Sequence, residues 1–179
     1  MRKILQLTFL LIITSINCFS QSGVDRNKAI EIVEELKYHE FYLGNKCYNK
    51  TEIDFNSTTE RIEITSTDFL GEDQYLINKK IFYLDDIDLS TLVYDLIEVE
   101  PNLYYVAIQA KSKGKSIEWK SVEMNKKEFP SPVSKTEYID KLTFESTRFM
   151  PKNLGMKLIE NFRIILGADK INRVDLSKS

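Results

Sequence analysis

The sequence predicts an α+β domain: a small antiparallel β-barrel or sandwich of about seven strands, with an amino-terminal helix and a closing carboxy-terminal helix. Three observations carry this. An apolar stripe at helical spacing lies near each end of the chain, at Ala29, Ile32, Val33 and Leu36 and again at Leu154, Leu158, Phe162, Ile165 and Leu166. Between Thr51 and Thr147 the texture is short alternating runs bounded by turn residues. The chain has 179 residues, 42% of them apolar, and no repeat or long linker, which suits one domain.

The elements follow in order. Arg2 and Lys3 precede the mostly apolar run Ile4 to Ile16, and Cys18-Phe19-Ser20 offers small residues at the positions a signal peptidase reads. Residues 1–20 are therefore expected to be a cleaved signal peptide, too short to span a membrane, which needs about 20 apolar residues. The protein is then exported, periplasmic or secreted. A second reading anchors it as a lipoprotein at Cys18, where Asn17 stands in place of the small residue such a site favours. The single domain is assigned to residues 21–167. Its first helix, capped by Ser22 or Asp25 and stopped at Gly44-Asn45, packs one face, with Glu31, Glu34, Glu35 and Lys37 on the other and the aromatics Tyr38, Phe41 and Tyr42 at its end.

Strands are expected at Glu52 to Phe55, Arg61 to Thr65 and Gln74 to Leu84, the last interrupted at Asn78-Lys79-Lys80. Residues 85–90 read as a loop. Leu92 to Val99, Leu103 to Ala110 and Ser116 to Glu123 are three more strands. An irregular stretch at 125–136 holds Pro130 and Pro132, and Tyr138, Leu142 and Phe144 mark the last strand. Pro151 and Asn153 start the closing helix, Gly167 ends it as a left-handed cap, and residues 168–179 form a polar tail expected to fray.

Composition excludes several chemistries. The balance of 25 basic to 27 acidic residues is not that of a polybasic nucleic-acid binder. One His and two Cys cannot build a multi-histidine metal centre or a disulfide framework within one chain. Removing the leader leaves Cys47 as the one cysteine, with burial the expected state and pairing between chains or reactivity the alternatives. Asp85, Asp86 and Asp88 fail as a calcium loop, because the positions needing Gly and Glu hold Thr91 and Ile97, or Ser90 and Leu96. Turn and capping roles are expected there, a weak surface cation site being the alternative. His39 is the one histidine available to a catalytic pair, and no nucleophile motif surrounds any Ser. No cofactor motif is present, and the protein is not expected to be an enzyme.

One helix, seven short strands and a closing helix resembles the pleckstrin-homology-like barrel. The stretches "NKAIEIVEELKYH", "IFYLDDIDLSTL" and "LGMKLIENFRIIL" are also similar to small exported proteins of Bacteroidota-type bacteria with this layout, over roughly residues 27 to 167. The likeness implies a fold and no activity. Pleckstrin-homology domains often hold phosphoinositides with basic residues between their first two strands. Here that stretch is Asn56-Ser57-Thr58-Thr59-Glu60, so the property does not carry over.

The leading functional expectation is a binding or interaction module of the bacterial envelope, engaging protein or peptide through an open strand edge or a groove. Adjacent aromatics such as Phe82-Tyr83 and Tyr104-Tyr105 must point one ring to each sheet face, leaving one for a partner or a cavity. Residues 60–100 are rich in acids, and residues 111–135 carry seven Lys against three Glu. The candidate interaction surface is Tyr83, Tyr104, Lys111, Lys113 and Lys115. The alternative is a lipocalin-like carrier of a small apolar ligand. A hydrolase, the third class, would need paired acids or His39 beside a nucleophile in a cleft.

Overall fold

A computed structural model describes residues 25–42, 46–128 and 130–175. The leader, Cys18, the Ser22 cap and the Gly44-Asn45 stop lie outside them. The chain is α+β, with ten strands among the described residues, in an antiparallel six-strand sheet and a mixed four-strand sheet that do not close into a barrel. Helix α1 covers residues 25–37 of the described chain. The first sheet holds β1 (His39–Tyr42), β2 (Lys46–Asn56), β3 (Arg61–Phe69), β4 (Gln74–Tyr83), β7 (Ile117–Asn125) and β8 (Val133–Ile139) as neighbours in that order. The second holds β10 (Asn172–Arg173), β5 (Ile87–Glu100), β6 (Leu103–Ser112) and β9 (Lys141–Glu145). Helix α2 (Lys152–Leu166) follows β9. No described helix is long and apolar enough to cross a membrane.

Several expectations need correction. The aromatic stretch read as the end of the first helix is strand β1, paired with β2 from His39 opposite Asn49 to Tyr42 opposite Lys46. β4 runs unbroken through Asn78-Lys79-Lys80, because β3 and β7 pair with it on both sides. Only residues 84–86 form a helical turn; β5 starts at Ile87 within the expected loop. The final strand divides at Asp140 into β8 and β9, which join different sheets. The tail also docks: β10 pairs parallel with Val93 and Tyr94 of β5, and Val174 N–H donates to the Tyr94 carbonyl at 2.8 Å.

Register defines the faces, since directly paired residues point the same way. On the inner face of the first sheet, Phe55, Ile62 and Phe82 form one row and Ile53, Ile64, Lys80 and Trp119 the next. Then come Thr51, Ser66, Asn78 and Ser121, and after them Asn49 and Asp68. This face turns from apolar to polar along the strands. Its apolar end packs into one core with Ile108, Leu142 and Phe144 of the second sheet and Leu158, Phe162 and Ile165 of α2.

The helices close what the sheets leave open. β2 extends beyond β1, and Glu34 of α1 accepts the Ile53 N–H at 2.6 Å where no strand does. The other end of α1 reaches the second sheet, where the Thr147 hydroxyl donates to the Lys37 carbonyl at 3.0 Å. α2 lies on β5 and β6, with Phe162 stacked on Phe144 at 4.0 Å between ring centroids. It ends as expected: Gly167 has φ 70°, its N–H donates to the Ile164 carbonyl, and Ala168 N–H donates to the Arg163 carbonyl. That double bond is the Schellman arrangement, which glycine enters without a Cβ penalty.

Candidate functional site

The polar end of the inner face borders a cavity of about 230 Å³. β3 contributes Ser66 and Asp68, β4 contributes Asn78 and Lys80, and β7 contributes Trp119. The facing wall is β9 with the residues just after it, from Thr143 to Thr147, and Lys37 closes it from the end of α1. Lys37 is 4% exposed, so an ammonium group sits essentially inside the protein.

Edge geometry explains why two lysines are here. Ser146 N–H donates to the Val106 carbonyl. By the alternation of an antiparallel ladder, the carbonyls of Thr143 and Glu145 then point away from β6 toward the free edge of β9. Buried carbonyls need donors. Lys37 Nζ donates to the Glu145 carbonyl, and Lys80 Nζ donates to the Thr143 carbonyl and, at 3.0 Å, to its hydroxyl. The two lysines thus tie α1 and β4 to the edge of the second sheet. The Lys37 ammonium also lies 4.3 Å from the centre of the Phe144 ring.

Burial pushes Lys37 down to about 8, and the neighbouring Lys80 charge pushes the same way, opposed by Asp68 and Glu145. Lys80 is lowered as well, again mainly by burial and opposed by Glu145. The nearby carboxylates have other hydrogen-bond donors. Asn49 donates to Asp68 at 2.5 Å, and the Tyr105 hydroxyl donates to Glu145 at 2.6 Å. Burial and that bond to Glu145 hold the Tyr105 phenol above its usual range.

Sequence reasoning missed both lysines. Charge alone groups Lys37 with the glutamates, yet it stands four residues after Val33 and eight after Ala29, on the buried stripe. Lys80 lies in the stretch Asn78-Lys79-Lys80, whose polarity suggests a strand break. The signal was the alternation itself: Lys79 faces outward and pairs with Glu63, so Lys80 must face inward.

The candidate surface residues divide. Lys111, Lys113 and Lys115 are exposed around the β6–β7 turn, and Tyr83 is 48% exposed at the end of β4. Lys113 meets the acidic stretch, its N–H donating to the Asp86 carbonyl and its Nζ to the Asp85 carbonyl, both at 2.7 Å. Lys111 stands opposite Asp88. The basic turn and the acidic stretch therefore lie side by side in the fold, tied through backbone carbonyls. Tyr104 is at the other end of β6, partly buried against the core and bridged to Met150, so it does not join the lysines. Asp88 accepts from the Ser90 N–H and hydroxyl, a turn role.

His39 stacks on Phe41 with ring centroids 5.7 Å apart and is not among the residues lining the cavity. Cys47 is 1% exposed. β8 ends the six-strand sheet, with Val133 54% and Tyr138 61% exposed. Beside its end, Lys115, Glu137, Tyr138, Ile139 and Asp140 line an open groove. No protein-family model matches the chain, and comparison with curated proteins and with solved structures gives no match either, so the reading of these sites rests on their own geometry.

Proposed function

We propose that this protein is an exported, non-enzymatic binding module of the bacterial envelope that takes a protein or peptide segment in extended form along β8. The observation that carries the reading is the state of that strand. β8 is at the edge of the six-strand sheet, and from Val133 to Tyr138 its side chains are exposed on both faces. A sheet edge presents a row of backbone donors and acceptors to an incoming strand, and pockets beside it select side chains. The groove at Lys115, Tyr138 and Asp140 would supply such a pocket. The packing of His39 on Phe41, outside the cavity, supports the non-enzymatic reading. At the level of layout, two sheets with a closing helix agree with the pleckstrin-homology-like likeness, which we keep as part of this proposal.

The test places a photo-crosslinking amino acid at Tyr138 and, as a control, at the exposed Glu52 of β2. After irradiation in an envelope extract, a discrete protein-sized adduct is expected from position 138 alone. Equal adducts at both positions, or none at 138, would overturn the proposal. A small-molecule adduct in native mass spectrometry would instead favour the carrier reading.

A further inference from the structure

The cavity between α1, β4 and β9 holds two ammonium groups whose hydrogen-bond partners are all neutral. Lys37 donates to a backbone carbonyl, and Lys80 to a carbonyl and a hydroxyl. The ion pairs among the described residues are made by other cations. Asp68 and Glu145 are near enough to be felt, but their carboxylates accept from Asn49 and Tyr105. Each lysine therefore keeps at least one N–H beyond its protein partners, since an ammonium has three. These spare N–H groups border the cavity and can donate to an anionic ligand, in competition with the Asp68 and Glu145 carboxylates that line it as well.

Lys37 and Lys80 are bound to alternate carbonyls of one strand edge and line the same cavity, so their remaining N–H groups are available to one small ligand. The cavity measures about 230 Å³, enough for a small molecule. Beyond the lysines its walls offer the Ser66 hydroxyl, the Asn78 amide, the Trp119 ring and the Asp68 and Glu145 carboxylates, which are already bonded to Asn49 and Tyr105.

We propose that this cavity binds a small molecule with an anionic head, carboxylate or phosphate, held by the remaining N–H groups of Lys37 and Lys80, and a hydroxylated body against Ser66, Asn78 and Trp119. The site adjoins β8, whose Lys135 lies over the Trp119 ring, but it is tested with small ligands alone and stands or falls independently of the peptide reading.

Trp119 is the one tryptophan of the chain, so its fluorescence reports on the cavity directly. The purified protein is titrated with glucuronate, inorganic phosphate and glucose at pH 7. A saturable change is expected with glucuronate or phosphate, whichever head the site prefers, and at least tenfold weaker binding of glucose. Lys80→Met should weaken the anion at least tenfold, whereas Lys79→Met, on the opposite face, should leave it unchanged. Glucose binding as tightly as the anions, no response to any of the three, or full anion binding in Lys80→Met would overturn the proposal. Should Lys80→Met fail to fold, charged against neutral ligand on the unaltered protein still decides.

Discussion

An ammonium at the position of Lys37 is stable only because a carbonyl, an aromatic face and two nearby carboxylates offset part of the cost of removing it from water. The remaining cost is visible as a shift from 10.5 to about 8. At about 1.4 kcal/mol per unit this amounts to about 3 kcal/mol. Below pH 8 the lysine is protonated folded or unfolded, so the cost is fully present. Between about 8 and 10.5 the unfolded chain binds the extra proton, so stability rises with pH; above 10.5 the cost has gone. Urea unfolding at pH 7.5 and 9.5 should therefore show the protein gaining about 2 kcal/mol relative to Lys37→Met. Lys80, lowered in the same direction, contributes a slope of the same sign to both proteins, and only its repulsion with Lys37, lost in the variant, enters the difference. Asp68 and Glu145, which face the Lys37 ammonium, are present in both proteins. Parallel pH profiles would mean that Lys37 is hydrated in solution. This residue was illegible from sequence for a physical reason: helical periodicity marks the buried stripe by apolar side chains, and a lysine there looks like the stripe's edge until its carbonyl partner, more than a hundred residues away, is known.

At the scale of the element, the sequence was most readable where one face is buried and the other wet. α2 is such a case, and its stripe and Gly167 cap appear where periodicity placed them. β8 is the opposite case: exposed on both faces, Val133–Ile139 has no alternation to read, and Pro130 and Pro132 made its surroundings look irregular. β1 was lost because its aromatics continue an apolar pattern already counted as helix, and only pairing with β2 decides otherwise. Within α2, Gly155 sits tightly against the second sheet. A Cβ there would lie 2.8 Å from Leu96 Cδ1 and 3.1 Å from Val106 Cγ2. Alanine would gain about 1 kcal/mol of helix propensity, but overpacking a filled core costs about 1–3 kcal/mol. Leu96 is 3% exposed and has little room to retreat, so the overpacking should win. Gly155→Ala is expected to destabilise by about 1 kcal/mol and Gly155→Val by more, read from urea midpoints. A raised midpoint for Gly155→Ala would show that Leu96 does move aside.

For the whole molecule, the sequence indicated the class and the two flanking helices but not the division into two unclosed sheets, because sheet membership is set by which edges find partners rather than by any one strand's pattern. β8 and β9 are separated by a single residue and belong to different sheets. What makes the two sheets one body is the shared core, in which Ile62 and Phe82 of the first sheet join Ile108 and Phe144 of the second and Phe162 of α2. α1 adds a second tie, bonded to β2 through Glu34 and to the chain after β9 through Lys37. Neither sheet has a separate core to fall back on, so unfolding should be a single cooperative transition. Phe162→Ala tests this, because Phe162 is fully buried and stacks on the second sheet, whereas Trp119 reports from the first. The substitution should cost about 3–5 kcal/mol. Followed by Trp119 fluorescence and by far-ultraviolet circular dichroism, the urea transition should shift by the same amount in both signals. If the dichroism midpoint falls while the Trp119 midpoint stays, the six-strand sheet is stable alone, and the lysine ties across the cavity are then a hinge between two folding units.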